Sequence, residues 1–171
     1  VETLGRLLER SQRLAIADVR VAYELNELPH PHWLVVRNVW AGDAWLAFLV
    51  LGPTGVFVLR ATDGRWDMND VVAADRVVRH LRGQLPELGN AVHAAICLAF
   101  DDHAPRIWHA GPEAQGGAAW VLGLSWLNRW LYSFDPHGGP ETGDLSALMA
   151  AARPRWERRW TGTLPRQPHR G

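Results

Sequence analysis

Apolar residues recur along the chain with two different periods, and these periods predict both helices and strands. Residues 70–85 carry an apolar stripe at helical spacing with arginines on the opposite side, which predicts an amphipathic helix. Asp18 and Ser125 stand where N-cap residues of two other helices are expected. The same helical spacing predicts further helices over residues 1–14, 18–28, 125–133 and 144–152.

Strands are predicted where apolar residues run almost without interruption between turn residues. Residues 91–100 read as a central strand covered on both faces, because almost every position in them is apolar. Gly-Pro-Thr-Gly at 52–55 predicts a tight turn, since proline fixes φ and glycine tolerates positive φ. The other predicted strands cover residues 33–40, 44–51, 56–62, 106–110 and 118–124. This alternation predicts an α/β domain.

The chain shows no internal repeat and no linker, so we expect one main domain with short additions at its two ends. An N-terminal helical extension is expected over 1–17, the α/β domain over 18–152, and a basic segment rich in arginine and tryptophan over 153–171. The longest uncharged stretch, 44–59, is too short to span a membrane and is divided by a turn. We therefore expect no membrane span in this chain.

Charge and cysteine content limit the possible mechanisms, partners and cellular locations. All eighteen cationic residues are arginines, so no mechanism that needs a lysine ammonium is open to this chain. The net charge is zero, but residues 151–171 carry +5 and the remainder −5, which favours contact with an acidic partner surface or nucleic acid, or a solvated tail. The single Cys97 excludes an internal disulfide and favours a reducing, cytoplasmic location.

Two stretches carry a resemblance to a known family. The residues LVVRNVW…FLVLGPTGVFVLRATDGRW, with GPTGVFVL as the sharpest part, resemble the nuclease-related domain (NERD) family of the PD-(D/E)XK superfamily. WVLGLSWLNRWL resembles that family's closing strand and helix, so the resemblance runs from about residue 18 to the helix near 130. It implies a restriction-endonuclease-like fold, with a mixed central sheet flanked by helices.

The resemblance also shows which catalytic residues this chain lacks. In that family an aspartate stands about five residues before the Gly-Pro, and Glu/Asp-x-Lys follows the second strand; Ala47, Arg60 and Thr62 stand at these positions here. An acid on the first helix falls at Asp18, and a glutamine on the later helix falls near Ala73 and is absent.

These substitutions predict loss of the metal chemistry. A divalent cation needs carboxylate ligands, whereas a methyl group supplies none and a guanidinium repels the ion. We therefore expect no metal, no cofactor and no catalytic residue, with Asp18, Ala47, Arg60 and Thr62 as vestigial positions. A half-buried Arg60 needs a partner, so we expect an ion pair with Asp18 or another nearby acid.

Two other metal sites are weighed against this hypothesis. His30 and His32 form an HxH pair, and His93, His103 and His109 lie around strand ends, but the sequence has neither a cysteine partner nor an HExxH helix, so turn and surface roles are favoured. A rearranged nuclease site would draw on the acids around the predicted hairpin, although a shift of four residues along a strand moves a ligand by about 13 Å. Those acids are Asp43, Asp63, Asp67 and Asp70.

Ten tryptophans suggest a partner surface, because so many indoles are hard to bury in one small domain. We expect partner binding by the basic C-terminal segment. The residues expected there are Arg153, Arg155, Trp156, Arg158, Arg159 and Trp160.

The first functional hypothesis is a catalytically inactive nuclease-like domain that binds protein in a larger assembly. The resemblance implies a DNA-processing, mobile-element or defence setting for such an assembly. A non-cleaving nucleic-acid-binding module is the alternative, and a metal-dependent nuclease with rearranged acids is the second alternative.

Overall fold

The computed structural model describes residues 3–29, 32–41, 44–84, 86–111 and 117–135. The helices in these ranges are α1 (Leu4–Leu25), α2 (Met68–Gln84) and α3 (Leu127–Tyr132), with short 3-10 turns over Pro86–Ala91 and Leu124–Trp126. The strands are β1 (Leu34–Ala41), β2 (Ala44–Gly52), β3 (Gly55–Thr62), β4 (Val92–Leu98), β5 (Arg106–His109) and β6 (Ala118–Gly123).

The six strands form one mixed sheet in the order β1-β2-β3-β4-β6-β5. Strand β2 is antiparallel to both of its neighbours, β1 and β3. Strands β3, β4 and β6 run parallel, and the edge strand β5 is antiparallel to β6. Helix α2 makes the connection that parallel strands require between β3 and β4. The predicted fold class, an α/β domain with a mixed central sheet flanked by helices, is confirmed.

The Gly-Pro-Thr-Gly turn joins β2 to β3 as predicted, and Gly52 pairs with Gly55 across it. Gly55 has a φ of 143°, a conformation that a side chain would strain. Thr54 is buried, and its hydroxyl donates a hydrogen bond to the carbonyl of Leu131 at 2.5 Å. The turn is therefore fastened to α3 on one side of the sheet.

The sheet separates two hydrophobic clusters, because alternate strand residues point to opposite faces. On one face Val56 and Val58 pack against α2. On the other face Phe57, Leu59 and Ala61 pack against α1 and α3. Any side chain on β3 can therefore be assigned to the α2 face or to the α1 face.

Three predictions about helix ends and extents need comment. Leu4–Leu25 is one continuous helix, so the predicted start at Asp18 is wrong, and the expected division at residue 17 falls inside α1. Trp126, rather than Ser125, occupies the N-cap position of α3 without a side-chain capping hydrogen bond, because a 3-10 turn precedes that helix. The helix predicted over 144–152 lies outside the described residues. None of the helices in the described ranges combines the length and apolarity needed to cross a bilayer.

Candidate functional site

Arg60 and Thr62 lie on the α2 face of the sheet, near the end of β3. Arg60 is the one exposed residue in a strand that is otherwise buried. Its Nη1 lies 3.3 Å from Oδ1 of Asp70 in α2, with the two side chains 49 % and 27 % exposed. The expectation that Arg60 pairs with an acid is confirmed, and that acid is Asp70 rather than Asp18.

Asp18 cannot reach Arg60 because the sheet lies between them. The neighbouring α1 residues Ala17 and Val21 pack into the same cluster as Leu59 and Ala61, which point away from α2. Burial raises the pKa of the Asp18 carboxyl, and the positive charge of Arg37 partly opposes that shift. The vestigial positions are thus not gathered in one place: Arg60 and Thr62 share a face, and Asp18 lies on the other. The side chain of Ala47, in β2, is outside the described part of the chain.

Thr62 uses its hydroxyl to close the turn that follows β3. Thr62 is 6 % exposed, and its Oγ1 donates a hydrogen bond to the carbonyl of Arg65 at 2.6 Å. Within the same turn, the Arg65 amide donates to Oδ1 of Asp63 at 3.3 Å, and Gly64 has a φ of 107°. These contacts commit Thr62 and Asp63 to local structure.

The acids after this turn form a reciprocal helix cap. The amides of Asn69 and Asp70 donate to Oδ1 of Asp67 at 2.9 and 3.2 Å. In return the amide of Asp67 donates to Oδ2 of Asp70 at 2.9 Å. This is a capping box at the start of α2, in which each side chain satisfies an otherwise unpaired amide of the first turn. Asp70 therefore both caps α2 and holds Arg60.

The alternative nuclease site made of rearranged acids gains no support from this geometry. Asp63 accepts a turn amide, and Asp67 and Asp70 are used in the cap, while Asp43 lies outside the described residues. Within the described ranges no three His, Cys, Asp or Glu side chains are grouped so that they can hold a metal ion. The His30–His32 pair is only half described, because His30 lies outside those ranges.

A basic and aromatic patch lies on the α2 face of the sheet and includes Arg106, three strands away from Arg60. The rings of Trp66 and Trp108 meet edge to face, with centroids 5.1 Å apart, and the guanidinium of Arg106 lies 4.4 Å from the Trp108 ring. Pairing across β3, β4, β6 and β5 places Arg60 and Arg106 in one row of the sheet. Arg65 is exposed next to Trp66. Sequence reasoning did not single out this patch, because β5 is brought beside β6 only by the fold.

His93 and Cys97, both on β4, are embedded in the opposite face. The His93 ring stacks against Phe134 and Phe57, with centroids 3.9 and 5.5 Å away. Burial, with a smaller contribution from Arg82, lowers the pKa of His93 to about 4. Burial also raises the pKa of the Cys97 thiol to about 12, so this cysteine is a protonated core residue and not a nucleophile.

The outward face of α1 is apolar, which is unusual for a surface helix. Ala17 and Val21 face the core, whereas Leu4, Leu8 and Val19 are 73 %, 56 % and 63 % exposed. The other large exposed side chains of α1 are Leu7, Leu14, Ile16 and Tyr23. Surface helices normally place charged and polar residues opposite the core, so this stripe is an interaction-surface candidate.

The arginines of α1 do not cover this stripe. Arg20 and Arg13 are turned toward Phe100, with their guanidinium carbons 4.9 and 5.8 Å from the ring centroid. The helical spacing over residues 1–14 predicts a helix, but it does not distinguish the apolar positions that the domain covers from those, such as Leu4 and Leu8, that stay in solvent. Their spacing with Val19 and Tyr23 along one helix was the available signal. The predicted partner-binding residues of the C-terminal segment, from Arg153 to Trp160, lie outside the described residues.

Comparison of the chain with protein-family models, curated proteins and solved structures finds no match. Its relation to the nuclease-related domain family therefore stays a prediction from the sequence.

Proposed function

We propose that this protein is a non-catalytic, nuclease-like α/β domain that joins a larger assembly through the outward face of α1. The exposed apolar stripe carries the proposal. Leu4, Leu8, Val19 and Tyr23 each leave more than half of their surface in water, along a helix that the rest of the domain buries only at Ala17, Val21 and Leu25. Apolar surface in contact with water is unfavourable, and a partner that covers it lowers the free energy.

The chemistry of positions 60 and 62 supports the non-catalytic part of the proposal. The Arg60 guanidinium is paired with Asp70 and the Thr62 hydroxyl is bonded to a backbone carbonyl. The sequence resemblance aligns these two positions with the acid and the lysine that a metal-dependent nuclease needs. The nuclease-like ancestry rests on the sequence resemblance and on the order of helices and strands around the Gly-Pro-Thr-Gly turn. A DNA-processing, mobile-element or defence complex is the setting that this resemblance suggests.

The assembly role is tested by the native size of the full-length protein in extracts of its own cells. We expect the unaltered protein to migrate well above the mass of its monomer, and the double variant Leu8→Glu/Val19→Glu to migrate as a monomer. Met68→Glu is the matched control, because Met68 is an exposed apolar residue at the start of another helix. Identical migration of the double variant and the unaltered protein in complexes would refute docking by α1.

The non-catalytic role is tested by incubation with Mg²⁺ or Mn²⁺ and single- or double-stranded DNA and RNA. We expect no cleavage. Metal-dependent cleavage that Asp18→Ala or Asp70→Ala abolishes would show that a catalytic acid remains, and it would reverse this part of the proposal.

A second candidate function, nucleic-acid binding without cleavage, is favoured by the patch of Trp66, Trp108 and Arg106. Arginine beside aromatic rings suits both phosphates and bases. Binding of a fluorescent single strand that falls steeply with log[salt], and that Arg106→Gln weakens, would favour this function. No measurable binding at low salt would remove it.

A further inference from the structure

The spacing of the residues in the outward α1 stripe indicates what kind of partner this helix binds. We infer that its partner is a second copy of this chain, whose α1 packs antiparallel against the first; the inference rests on the proposed docking role of α1. The stripe consists of Leu4, Leu8, Gln12, Ala15, Val19 and Tyr23, so its spacings are four, four, three, four and four residues. This series is the same when it is read from either end of the helix.

A twofold dimer requires a patch that is complementary to itself, and a stripe with symmetric spacing meets that condition. With the twofold axis between residues 13 and 14, Leu4 faces Tyr23 of the second copy, and Leu8 faces Val19. Large side chains thus meet large ones at both ends of the contact. Ala15 and Gln12 meet at its centre, where the small Ala15 leaves room for close approach of the two helices, which pack about 8–10 Å apart.

Length and exposure fit this arrangement. The 22 residues of α1 extend over about 33 Å, and the stripe occupies nearly all of that length. Its four largest members are all more than half exposed, so they are available along the whole contact. Around Val19 and Tyr23 the contact needs no rearrangement of the domain, because Ala17, Val21 and Leu25 hold this part of α1 against the sheet, whereas Leu4 and Leu8 lie in the part of the helix where no residue is buried.

Charge complementarity favours the antiparallel direction. Glu9 and Arg20 are exposed on the same flank of the stripe, and neither forms an ion pair with another described residue, although pairing across the dimer requires the Arg20 guanidinium to turn away from the Phe100 ring. In the antiparallel dimer Glu9 lies within about 3 Å, along the helix axis, of the level of Arg20 in the second copy, and the symmetry makes this pair twice. In a parallel dimer Glu9 and Arg20 of the two copies would instead lie about 16 Å apart along the axis, too far to form a pair.

A lipid surface fits the helix less well. Helices that lie on anionic membranes carry a strongly basic polar face. Helix α1 has Arg6, Arg10, Arg13 and Arg20 against Glu9, Asp18 and Glu24, a net charge of only +1. A second copy brings its own acids and arginines into register and needs no excess of positive charge.

Disulfide trapping of the full-length protein tests the direction and register of pairing. The native Cys97 is buried and protonated, so it does not compete with introduced thiols. A mixture of Leu8→Cys and Val19→Cys should form a covalent dimer containing one chain of each kind. Leu8→Cys alone should not, because the two thiols would lie about 16 Å apart along the axis. Covalent dimers formed equally well by each variant alone would overturn the antiparallel arrangement.

Sedimentation equilibrium tests the partner itself. We expect a dimer whose dissociation constant rises at least tenfold in Val19→Glu and is unchanged in Met68→Glu, with the melting temperature unchanged for monomeric protein. Glu9→Arg should weaken the dimer, and Glu9→Arg/Arg20→Glu should restore it.

Three other outcomes would overturn the inference. A protein that is monomeric in isolation, yet loses its large native complexes in Leu8→Glu/Val19→Glu, has a different protein partner, and the proposed function then stands. A melting temperature lowered in Val19→Glu at unchanged monomeric mass would mean that the chain covers its own stripe. Binding to vesicles of phosphatidylcholine and phosphatidylglycerol that Val19→Glu abolishes would identify a lipid surface instead.

Discussion

Asp70 has two roles that substitution can separate. Asp70→Asn keeps an oxygen that can accept the Asp67 amide but removes the charge that attracts Arg60. Asp70→Ala removes both interactions. The free energies of unfolding of the two variants should therefore differ by the contribution of the capping hydrogen bond. Arg60→Met should lower the free energy of unfolding only by the contribution of the ion pair.

The magnitudes follow from the exposure and geometry of the two contacts. A single 3.3 Å contact between partly exposed charges contributes about 0.5 kcal/mol. The capping hydrogen bond contributes about 1 kcal/mol. A negative charge in the first helical turn contributes a separate amount of at most about 1 kcal/mol. We therefore expect Asp70→Asn to cost about 1 kcal/mol and Asp70→Ala about 2 kcal/mol.

Urea unfolding of the four proteins in the Arg60→Met and Asp70→Asn cycle measures the pair directly. The coupling energy should lie below about 1 kcal/mol and fall further in 0.5 M NaCl, because exposed charges are screened. Asn69→Ala is the control, since the side chain of this exposed residue makes no described hydrogen bond in the cap. A coupling of about 3 kcal/mol or more would mean a desolvated pair and refute this description of the site.

Three further predictions concern pH, metal binding and packing. Because the pKa of His93 is lowered to about 4 when folded, the unfolded chain binds its proton first. Folded protein is therefore not penalised by His93 above pH 6.5 and loses stability as pH falls from 6.5 toward 4. Because the ring is only partly buried and solvent screens it, urea unfolding should show about 1–2 kcal/mol more acid loss of stability than in His93→Phe, and equal losses would contradict this prediction. Arg60→Glu places a second carboxylate beside Asp70, so Mn²⁺ should raise the melting temperature of this variant and not that of the unaltered protein. Gly52→Ala should cost about 1–3 kcal/mol in urea unfolding, since its Cβ would overlap the buried Trp33 ring, and an unchanged stability would show that Trp33 can move freely.

The sequence was most informative where local pattern and tertiary packing agree. The β2–β3 hairpin follows from Gly-Pro-Thr-Gly between two apolar runs, and α2 follows from its apolar stripe. The helix start predicted at Asp18 failed because a favourable capping residue does not end a helix that already extends through it. The residues before Asp18 are rich in leucine, arginine, glutamate and alanine, which have high helix propensity, so the helix extends through this position.

The site was less accessible to sequence reasoning for a physical reason. Spacing places Arg60 and Thr62 on one face of β3, but it does not show that α2 lies on that face and α1 on the other. The partner of Arg60 is therefore fixed by the fold. Likewise, periodicity identifies apolar positions on α1 without showing which of them the sheet covers, so the exposure of Leu8 and Val19 became evident only from the structure.

The central claim, that the outward face of α1 is an interface, is tested most directly by thiol labelling in intact cells. Val19 is more exposed than Met68 in the isolated protein, at 63 % against 40 %, and the native Cys97 is buried. Val19→Cys and Met68→Cys should both react readily with a membrane-permeant maleimide after denaturation. In cells, we predict that Val19→Cys reacts at least tenfold more slowly than Met68→Cys. Labelling of Val19→Cys as fast as, or faster than, Met68→Cys would contradict the claim.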